Sequence, residues 1–521
     1  MTTSFRSARL AAGARVVSSA TCLLLGLGAV LLLVHGCENA DSPVRPNPLS
    51  SVTAPQATMG EWGPTFSTEI VALNASLVPL TAGGAGVLVW GHVGVPYLWD
   101  LSAATPTFTP LSEPAELFCA GHSFLPDGSL LVVGGHDEAK GDEHGIPNAY
   151  RFVNGGWTTE PAMSFGRWYP TTTTLENGDV VAYAGTDNSG VQVNIAEVYH
   201  PTSHTWTQLT KAKRRFPYYP RSFLDPRTGK VFYAGEQAIS RWLDPSANNG
   251  LGKWDLTTIT RVVADRNYGS AAMYEQGKIL YAGGGGRNKT AGIPPTNSAE
   301  VIDLNQATPQ WSATGSMTYG RRHLNLTILA DGTVLTTGGT GSPGFTVRTL
   351  ARKDAELWDP ATGVWRLLAP ETIVRVYHST TLLLPDGRVL SAGSGDGKGL
   401  PRETMGQIFS PPYLFNQDGS PAVRPTISGI SSTSLHYGQT LRVTTPDAAS
   451  IAKVHLIRFS AVTHAFNMGQ TLYRAEFSVS GQDLTVTGPA AGRLAPPGPY
   501  LLFLVNASGV PSEAKLITIA P

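Results

Sequence analysis

Cysteine is nearly absent from this 521-residue sequence, which contains only Cys22, Cys37 and Cys119. The first two fall in an N-terminal segment with the features of an export signal. Cys119, in the stretch LFCAGH, is therefore the only thiol in the body of an exported chain, where it has no partner for an internal disulfide. An odd cysteine outside the cytosol is either buried and inert or chemically used.

An excess of charge of either sign is also missing. The chain has 38 basic and 38 acidic residues, and charged residues make up 15% of it. Nucleic-acid-binding domains present a basic face, so we expect no nucleic-acid partner. Convincing amphipathic helices are absent after residue 60, whereas 57 glycines and 38 prolines indicate many turns. The hydrophobic fraction of 41% is sufficient for a packed core.

The N-terminus resembles a targeting segment. Three arginines precede an uncharged apolar run at residues 16–34, and the run is followed by Cys37. We interpret residues 1–37 as an export signal of lipoprotein type, with Cys37 as the lipidated residue and a lipid anchor to the membrane. An uncleaved membrane anchor and a secreted protein are the alternatives. Residues 38–60 are rich in Pro, Ser and Asn and predict a flexible linker.

A repeated pattern dominates the rest of the chain: a turn with glycine, a run of β-forming residues, and then Gly or Gly-Gly. Copies recur at intervals of roughly 45–55 residues, the period of kelch-type propeller blades. We therefore predict an all-β fold, with a seven-bladed kelch-type β-propeller at 61–420 and an immunoglobulin-like β-sandwich at 421–521. The seven copies lie at residues 84–91, 126–135, 176–185, 227–235, 275–284, 330–339 and 385–393.

Four places could carry chemistry: Cys119, Tyr169, the adjacent pair Tyr377 and His378, and His464. Each has an ordinary structural interpretation, because Tyr and His are often partly buried and a free Cys packs as a small hydrophobe. Imidazole and phenolate together suit an oxidised copper ion, which favours tetragonal sites with N and O ligands. What strengthens the copper interpretation is the joint occurrence of these residues on one propeller.

The chain resembles the copper radical oxidases, the group that contains galactose oxidase and glyoxal oxidase. The resemblance covers residues 61–521, and GRWYP looks more like the glyoxal oxidase branch. The stretches that carry it are LFCAGHSFLPDG (117–128), GRWYP (166–170), IVRVYHSTTLLLPDGRVL (373–390), GQIFSPPYLF (406–415) and THAFNMGQ (463–470).

The resemblance implies a role for each candidate. Cys119 would be joined to Tyr169 through a thioether, and the modified Tyr169 would bind copper and hold a stable radical. Tyr377 would be the axial copper ligand and general base, and His378 and His464 the two imidazole ligands. Copper and the radical would then remove two electrons from the substrate and pass them to O2, giving hydrogen peroxide.

The sequence departs from the family pattern in places. An aspartate and a Gln-Arg pair usual after the tail histidine are missing, which leaves the orientation of His464 open. The position where galactose oxidase stacks a tryptophan on its radical is Asp187, so Trp168 or another aromatic would shield the radical. Trp168, Arg261 and Arg266 are candidate substrate contacts. The acidic loop at 134–144 is a solvated loop or, as the weaker alternative, a cation site.

The sequence thus predicts an exported oxidase, secreted or anchored to the cell envelope, that acts as a monomer with O2 on small aldehydes, as hydrates, or on primary alcohols. One alternative is a sugar primary-alcohol oxidase of galactose oxidase type. Because only a short linker precedes residue 61, we expect no counterpart of the carbohydrate-binding domain that precedes the propeller in galactose oxidase, which weakens the case for a polymeric substrate. A third alternative, from another class, is a kelch-propeller binding or adhesion protein without catalysis.

Overall fold

The computed structural model describes residues 54–286, 292–396 and 400–521. Cys37, the predicted export signal and most of the predicted linker lie outside these ranges. No helix within them is long and apolar enough to cross a membrane. Helical structure in the described chain is limited to α1 (Pro55–Met59), a single turn α2 (Ala247–Gly250) and 3-10 turns at Thr81–Gly83, Arg348–Leu350, Pro412–Leu414 and Ala448–Ser450.

The strands of the first half form small antiparallel sheets in chain order, after two short N-terminal strands, β1 (Glu61–Trp62) and β2 (Phe66–Ser67). Blade 1 contains β3 (Asn74–Pro79), β4 (Ala85–Trp90), β5 (Tyr97–Asp100) and β6 (Phe108–Pro110); blade 2 contains β7 (Gly121–Phe124), β8 (Leu130–Val133), β9 (Ala149–Val153) and β10 (Gly156–Glu160); blade 3 contains β11 (Thr171–Thr174), β12 (Val180–Tyr183), β13 (Glu197–His200) and β14 (Thr205–Gln208).

The next blades repeat this order of strands. Blade 4 contains β15 (Arg221–Leu224), β16 (Val231–Gly235), β17 (Ile239–Asp244) and β18 (Lys253–Thr260); blade 5 contains β19 (Ser270–Glu275), β20 (Lys278–Ala282), β21 (Ala299–Asp303) and β22 (Ser312–Thr314); blade 6 contains β23 (Asn325–Ile328), β24 (Val334–Thr337), β25 (Asp354–Asp359) and β26 (Val364–Pro370); blade 7 contains β27 (Ser379–Leu383), β28 (Val389–Gly393) and β29 (Met405–Ser410).

Blade 7 is completed by the start of the chain. The strand β1 pairs with β29 in antiparallel register, with Glu61 opposite Ser410 and Trp62 opposite Phe409. The strand β2 pairs with the same β29 further along. Because strands distant in sequence share one sheet, the ring is closed by backbone hydrogen bonds. The seven-bladed propeller predicted from the repeats is confirmed.

A buried ion pair recurs from blade to blade. An arginine that shortly precedes the first strand of a blade is fully buried and pairs with a glutamate on the third strand of that blade. Burying either charged side chain without a partner would cost free energy, and the ion pair offsets the charge of both side chains. The pairs are Arg167–Glu197 at 2.8 Å, Arg266–Glu300 at 2.7 Å and Arg321–Glu356 at 2.5 Å.

The C-terminal part forms a two-sheet sandwich, as predicted. One sheet contains β30 (Gly429–Ile430), β32 (Thr440–Thr444), β37 (Phe477–Ser480) and β38 (Asp483–Thr487); the other contains β31 (Ser434–His436), β33 (Ile451–Arg458), β36 (Leu472–Ala475), β39 (Gly498–Asn506) and β40 (Lys515–Ala520). The two remaining strands, β34 (Ala461–Thr463) and β35 (Phe466–Asn467), leave the sandwich and join blade 1 of the propeller.

The sandwich and the propeller belong to one compact unit of the described chain. Arg458, at the end of β33, is buried and donates a hydrogen bond to the carbonyl oxygen of Phe124 at 2.9 Å and to Thr174 Oγ1 at 3.1 Å. His455 Nδ1 donates to the carbonyl oxygen of Ala330 at 2.9 Å. These polar contacts lie where the first strands of blades 2, 3 and 6 end, so the sandwich covers that end of the propeller.

Candidate active site

Six blades present a residue of unusual backbone geometry just before their first strand. A non-glycine residue with positive φ is uncommon and costs about 1 kcal/mol, so six in equivalent places indicate a shared structural device. Each turns the chain where it enters the innermost strand. These residues are Cys119 (φ 63°), Tyr169 (φ 66°), Tyr219 (φ 46°), Tyr268 (φ 52°), His323 (φ 59°) and His378 (φ 72°).

Backbone hydrogen bonds connect several of these residues across neighbouring blades. The Tyr169 N–H donates to the Cys119 carbonyl oxygen at 3.0 Å, and the Tyr219 N–H donates to the Tyr169 carbonyl oxygen at 3.1 Å. The His323 N–H donates to the Tyr268 carbonyl oxygen at 2.8 Å. The residues joined in this way therefore lie at equivalent positions where neighbouring blades begin their innermost strands.

Blade 1 contributes through the inserted hairpin of β34 and β35. The strand β34 pairs with β3, with Thr463 opposite Asn74, which places the hairpin turn at the inner edge of blade 1. His464 and Ala465 in that turn have positive φ values of 48° and 65°. A residue from the C-terminal part of the chain thus joins the ring supplied by the propeller.

The five sequence-predicted residues Cys119, Tyr169, Tyr377, His378 and His464 lie together in one cluster. The hydroxyl oxygens of Tyr169 and Tyr377 are 2.5 Å apart. The His464 ring lies 4.5 Å from the Tyr169 ring and 4.6 Å from the His378 ring, between centroids. The Tyr377 and His378 rings are 3.7 Å apart, so the adjacent residues reach one point because the chain bends at His378.

The two histidines are oriented for metal binding. His378 Nδ1 donates a hydrogen bond to the Gly395 carbonyl oxygen at 2.5 Å, and its buried Nε2 has no hydrogen-bond partner. His464 Nδ1 is hydrogen-bonded to Thr463 Oγ1 at 2.6 Å. Burial lowers the pKa of His378 to about 3 and the pKa of His464 well below its usual value. Both rings are therefore neutral at ordinary pH, which is the form that binds metals.

The oxygen and sulfur donors are equally enclosed. Burial raises the pKa of Tyr169, Tyr377 and Cys119 well above their ordinary values, because a charge at these positions would lack solvent. A bound cation reverses this preference and stabilises phenolate. Two neutral imidazoles and two phenol oxygens form a set of N and O donors that fits Cu(II). Such an ion would satisfy the buried His378 Nε2, which has no hydrogen-bond partner.

Cys119 is fully buried and close to both Tyr169 and His464. Its Sγ lies 3.8 Å from His464 Nε2. Burial raises the pKa of the thiol, and a side-chain hydrogen bond with Tyr169 partly offsets this effect. Among the described residues it is the free cysteine. The proximity of thiol and phenol is the geometry that a thioether between the two side chains would require.

Trp168 lies flat on the Tyr169 ring, with centroids 3.8 Å apart and planes 21° apart. Tyr218 contacts both rings edge-on at 5.2 Å. Trp168 therefore covers the face of Tyr169, in line with the expectation that an aromatic other than residue 187 shields that ring. Trp168 itself is 8% exposed.

Arg261 and Arg266 are not brought into the cluster. Arg266 belongs to the recurring arginine–glutamate pairs, and Arg261 Nη1 binds the same Glu300 at 2.6 Å. Arg261 also stacks on Tyr281 and Trp311. Both guanidinium groups are buried and committed to neighbouring blade residues, so the geometry gives a substrate role for them no support.

The acidic loop gives no sign of a metal site. His136 Nε2 binds the Gly141 carbonyl oxygen at 2.9 Å, and Lys140 pairs with Asp137 at 3.4 Å. A search of the described residues for groups of three or more His, Cys, Asp or Glu side chains able to hold a metal ion finds none.

Three residues that sequence reasoning missed support the site. Tyr219 stacks on the His464 ring at 4.6 Å, and the Tyr268 ring lies 5.8 Å from the Tyr377 ring. Arg221 Nη2 donates to the His464 carbonyl oxygen at 3.2 Å. Tyr219 and Tyr268 follow Cys119 and Tyr169 at the same spacing of roughly 50 residues, so the blade repeat was a signal that could have found them.

The missing aspartate near His464 is replaced by neutral contacts. Asn467 Oδ1 accepts hydrogen bonds from the backbone N–H groups of Ala461 and Gln470, both at 3.0 Å. The Gln470 side chain bonds both backbone groups of Ile328, at 2.8 and 3.0 Å. The hairpin that carries His464 is thus held by amide hydrogen bonds instead of a charge.

Comparisons with known proteins agree with this fold. The family model "Glyoxal oxidase N-terminus" matches residues 98–413, and "Galactose oxidase-like, Early set domain" matches residues 424–519. The chain is 31% identical to a galactose oxidase of Gibberella zeae over 90% of this chain and 72% of that protein. It is 29% identical to aldehyde oxidase GLOX of Vitis pseudoreticulata, over 81% of this chain and 85% of that protein.

A solved structure gives the same result. A fungal alcohol oxidase of the AA5 family, in complex with copper, has a TM-score of 0.78 and 28% identity, covering 89% of this chain and all of that chain. The propeller and the sandwich, together with these relatives, define an oxidase of the copper-dependent class. The chain belongs to the galactose oxidase and glyoxal oxidase family of copper radical oxidases.

Proposed function

We propose that this protein is an exported copper radical oxidase that oxidises small aldehydes, as hydrates, or primary alcohols with O2 and produces hydrogen peroxide. The observation that carries the proposal is the convergence of Tyr169, Tyr377, His378 and His464 on one buried point beside Cys119. A binding protein of the same fold has no need for this set of donors.

The four Tyr and His side chains would hold one copper ion, and Cys119 and Tyr169 would be joined by a thioether. Bound copper and the tyrosyl radical would supply the two one-electron acceptors that an alcohol oxidation needs. Tyr377 would accept the substrate hydroxyl proton, which its hydroxyl, 2.5 Å from that of Tyr169, is placed to do. Trp168 would exclude water from the Tyr169 ring.

The substrate class is argued from the relatives and the site together. Relatives are named galactose oxidase, aldehyde oxidase and alcohol oxidase. A sugar primary-alcohol oxidase is the second candidate, favoured by the identity to galactose oxidase. The test is a peroxide-coupled assay of copper-loaded protein on simple aldehydes, primary alcohols and galactose. No peroxide from any of them would favour the non-catalytic alternative.

His378→Ala and His464→Ala are each expected to reduce bound copper from one ion per chain to a small fraction of that. Each removes one of two neutral nitrogen ligands, and the incomplete set binds the ion weakly. Copper per chain after dialysis is the measurement. His323→Ala is the matched control, because His323 lies in the same ring but is not a proposed ligand. Full copper content in either ligand variant would remove that residue from the set.

Export and lipidation at Cys37 remain a proposal from the sequence. If Cys37 is lipidated, the wild-type protein is expected in the membrane fraction and Cys37→Ser in the soluble fraction of the exporting cell. Fractionation with an immunoblot, and N-terminal analysis of the mature protein, measure this. A soluble wild-type protein with an N-terminus beyond Cys37 would contradict it.

A further inference from the structure

A cavity of about 370 Å³ lies next to residues that pack against Tyr169 and Tyr377. Its walls include Arg215, Tyr218, Glu236 and Tyr268. The Tyr218 ring contacts Tyr169 at 5.2 Å, and the Tyr268 ring lies 5.8 Å from that of Tyr377. Two residues of the cavity wall therefore contact the tyrosines at which the proposed chemistry takes place, and the cavity volume suits a small ligand.

The one carboxylate in this cavity wall is already committed. Glu236 is 3% exposed, and its Oε1 accepts a hydrogen bond from Asn267 Nδ2 at 2.7 Å. Its Oε2 accepts one from the Tyr268 N–H at 3.1 Å, and the Arg322 guanidinium interacts with it electrostatically. Glu236 thus positions neighbouring residues and offers little charge to a ligand.

Arg215 is in the opposite situation. It is exposed and lines the cavity, and within the part of the chain that the structure describes its guanidinium group has neither an ion-pair partner nor a hydrogen-bond acceptor. A guanidinium group presents paired N–H donors that match a carboxylate. Of the two charged residues in the cavity wall, the cation Arg215 is therefore the one available to bind a ligand.

Other cations near Arg215 strengthen the positive electrostatic potential at the cavity. It belongs to the segment KAKRRF (211–216), whose other cations Lys211, Lys213 and Arg214 are also exposed. Arg214 lies near Arg241, whose pKa is lowered by burial and by that like charge. Glu143 interacts electrostatically with Tyr218 and supplies a negative charge. The cations of this segment outnumber Glu143. A bound anion would reduce the repulsion between these neighbouring positive charges.

We propose that Arg215 binds a carboxylate on the non-reacting end of the substrate. The preferred substrates would then be short primary alcohols or aldehydes that carry a carboxylate, with the neutral analogues as poorer substrates. The amide side chains of Gln192 and Gln237, also in the cavity wall, would bind hydroxyl groups between the two ends. This inference rests on the proposed oxidase function, since it names the substrate class of that site.

The first test measures binding and does not depend on turnover. Calorimetry of the copper-loaded protein, without O2, compares D-glycerate with glycerol, which share a primary alcohol and differ in the carboxylate. We expect glycerate to bind at least about tenfold more tightly, as a charge-assisted hydrogen bond implies. Arg215→Gln should remove that advantage, and Arg215→Lys should restore part of it. Equal binding of the two ligands to the wild type would overturn the inference.

The matched control is Lys213→Gln. Lys213 carries the same charge as Arg215 and lies two positions before it, but it is not part of the cavity wall. It should change the glycerate affinity by less than about twofold, because an exposed charge is screened by salt. An equal loss in Lys213→Gln and Arg215→Gln would show a general field effect, and would overturn a direct contact with Arg215.

The second test is kinetic. In Arg215→Gln the ratio of kcat/KM for glycerate to that for glycerol should fall by about tenfold or more, mainly through KM, as expected for lost ground-state binding. An unchanged ratio would overturn the inference while leaving the oxidase proposal intact. If neither compound, nor any alcohol or aldehyde, is oxidised, the oxidase proposal fails, and the calorimetry still decides whether Arg215 binds a carboxylate.

Discussion

Cys119→Ser is expected to fold, to retain much of its copper affinity and to lose nearly all oxidase activity. The substitution is small and replaces a buried thiol that is not one of the four proposed metal ligands. The variant cannot form the thioether, so the Tyr169 radical would lose the delocalisation that sulfur supplies. We expect turnover to fall by about a thousandfold or more, equivalent to about 4 kcal/mol in the barrier. The peroxide-coupled assay and the radical absorption measure this.

The covalent bond itself is tested on the wild type. After copper and O2 have reacted with the folded protein, a denaturing peptide map should show the peptides of Cys119 and Tyr169 linked, with a mass lower by two hydrogens. The link should survive a thiol reductant, as a disulfide would not. Protein prepared without copper is the control and should give separate peptides. If Cys119 can be alkylated in fully active enzyme, the proposed cofactor is wrong.

Tyr377→Phe is expected to bind copper and to form the thioether, but to turn over slowly. Three protein ligands remain, while the group that would accept the substrate proton is lost. General base catalysis typically contributes about 10²–10⁴-fold, so kcat should fall by that factor. Steady-state kinetics and the copper content of the same preparation are the measurements.

Tyr219→Phe is the matched control for Tyr377→Phe. Tyr219 belongs to the same ring of blade residues, but its hydroxyl donates to the Ala120 carbonyl oxygen at 3.2 Å and makes no contact with Tyr377 in the described structure. Its loss should therefore change kcat by less than about tenfold, the effect of one neutral hydrogen bond. Full activity of Tyr377→Phe would exclude Tyr377 as the base.

The blade repeat explains why much of the site could be predicted. Cys119 and Tyr169 precede their glycine-ended strands by a similar interval. The sequence therefore predicts that the two residues occupy equivalent positions in neighbouring blades. The same spacing applied to the next blades indicates Tyr219 and Tyr268, which local motifs did not reveal. Arg266 is a different case, because its alignment with a substrate contact did not indicate that it is one of the repeated buried partners of a glutamate.

The sequence by itself determined the class of fold and the number of blades, because turn, strand and glycine recur with the period of a blade. The resemblance of its motifs to the copper radical oxidases supplied the proposed copper ligands. Only the tertiary structure decided which groups meet. His464 reaches Tyr169 because a hairpin pairs with blade 1 more than 380 positions earlier in the chain. Which cations remain uncommitted, as Arg215 does and Arg261 does not, also depends on partners distant in sequence. Such pairings depend on ring closure and packing, which local patterns do not encode.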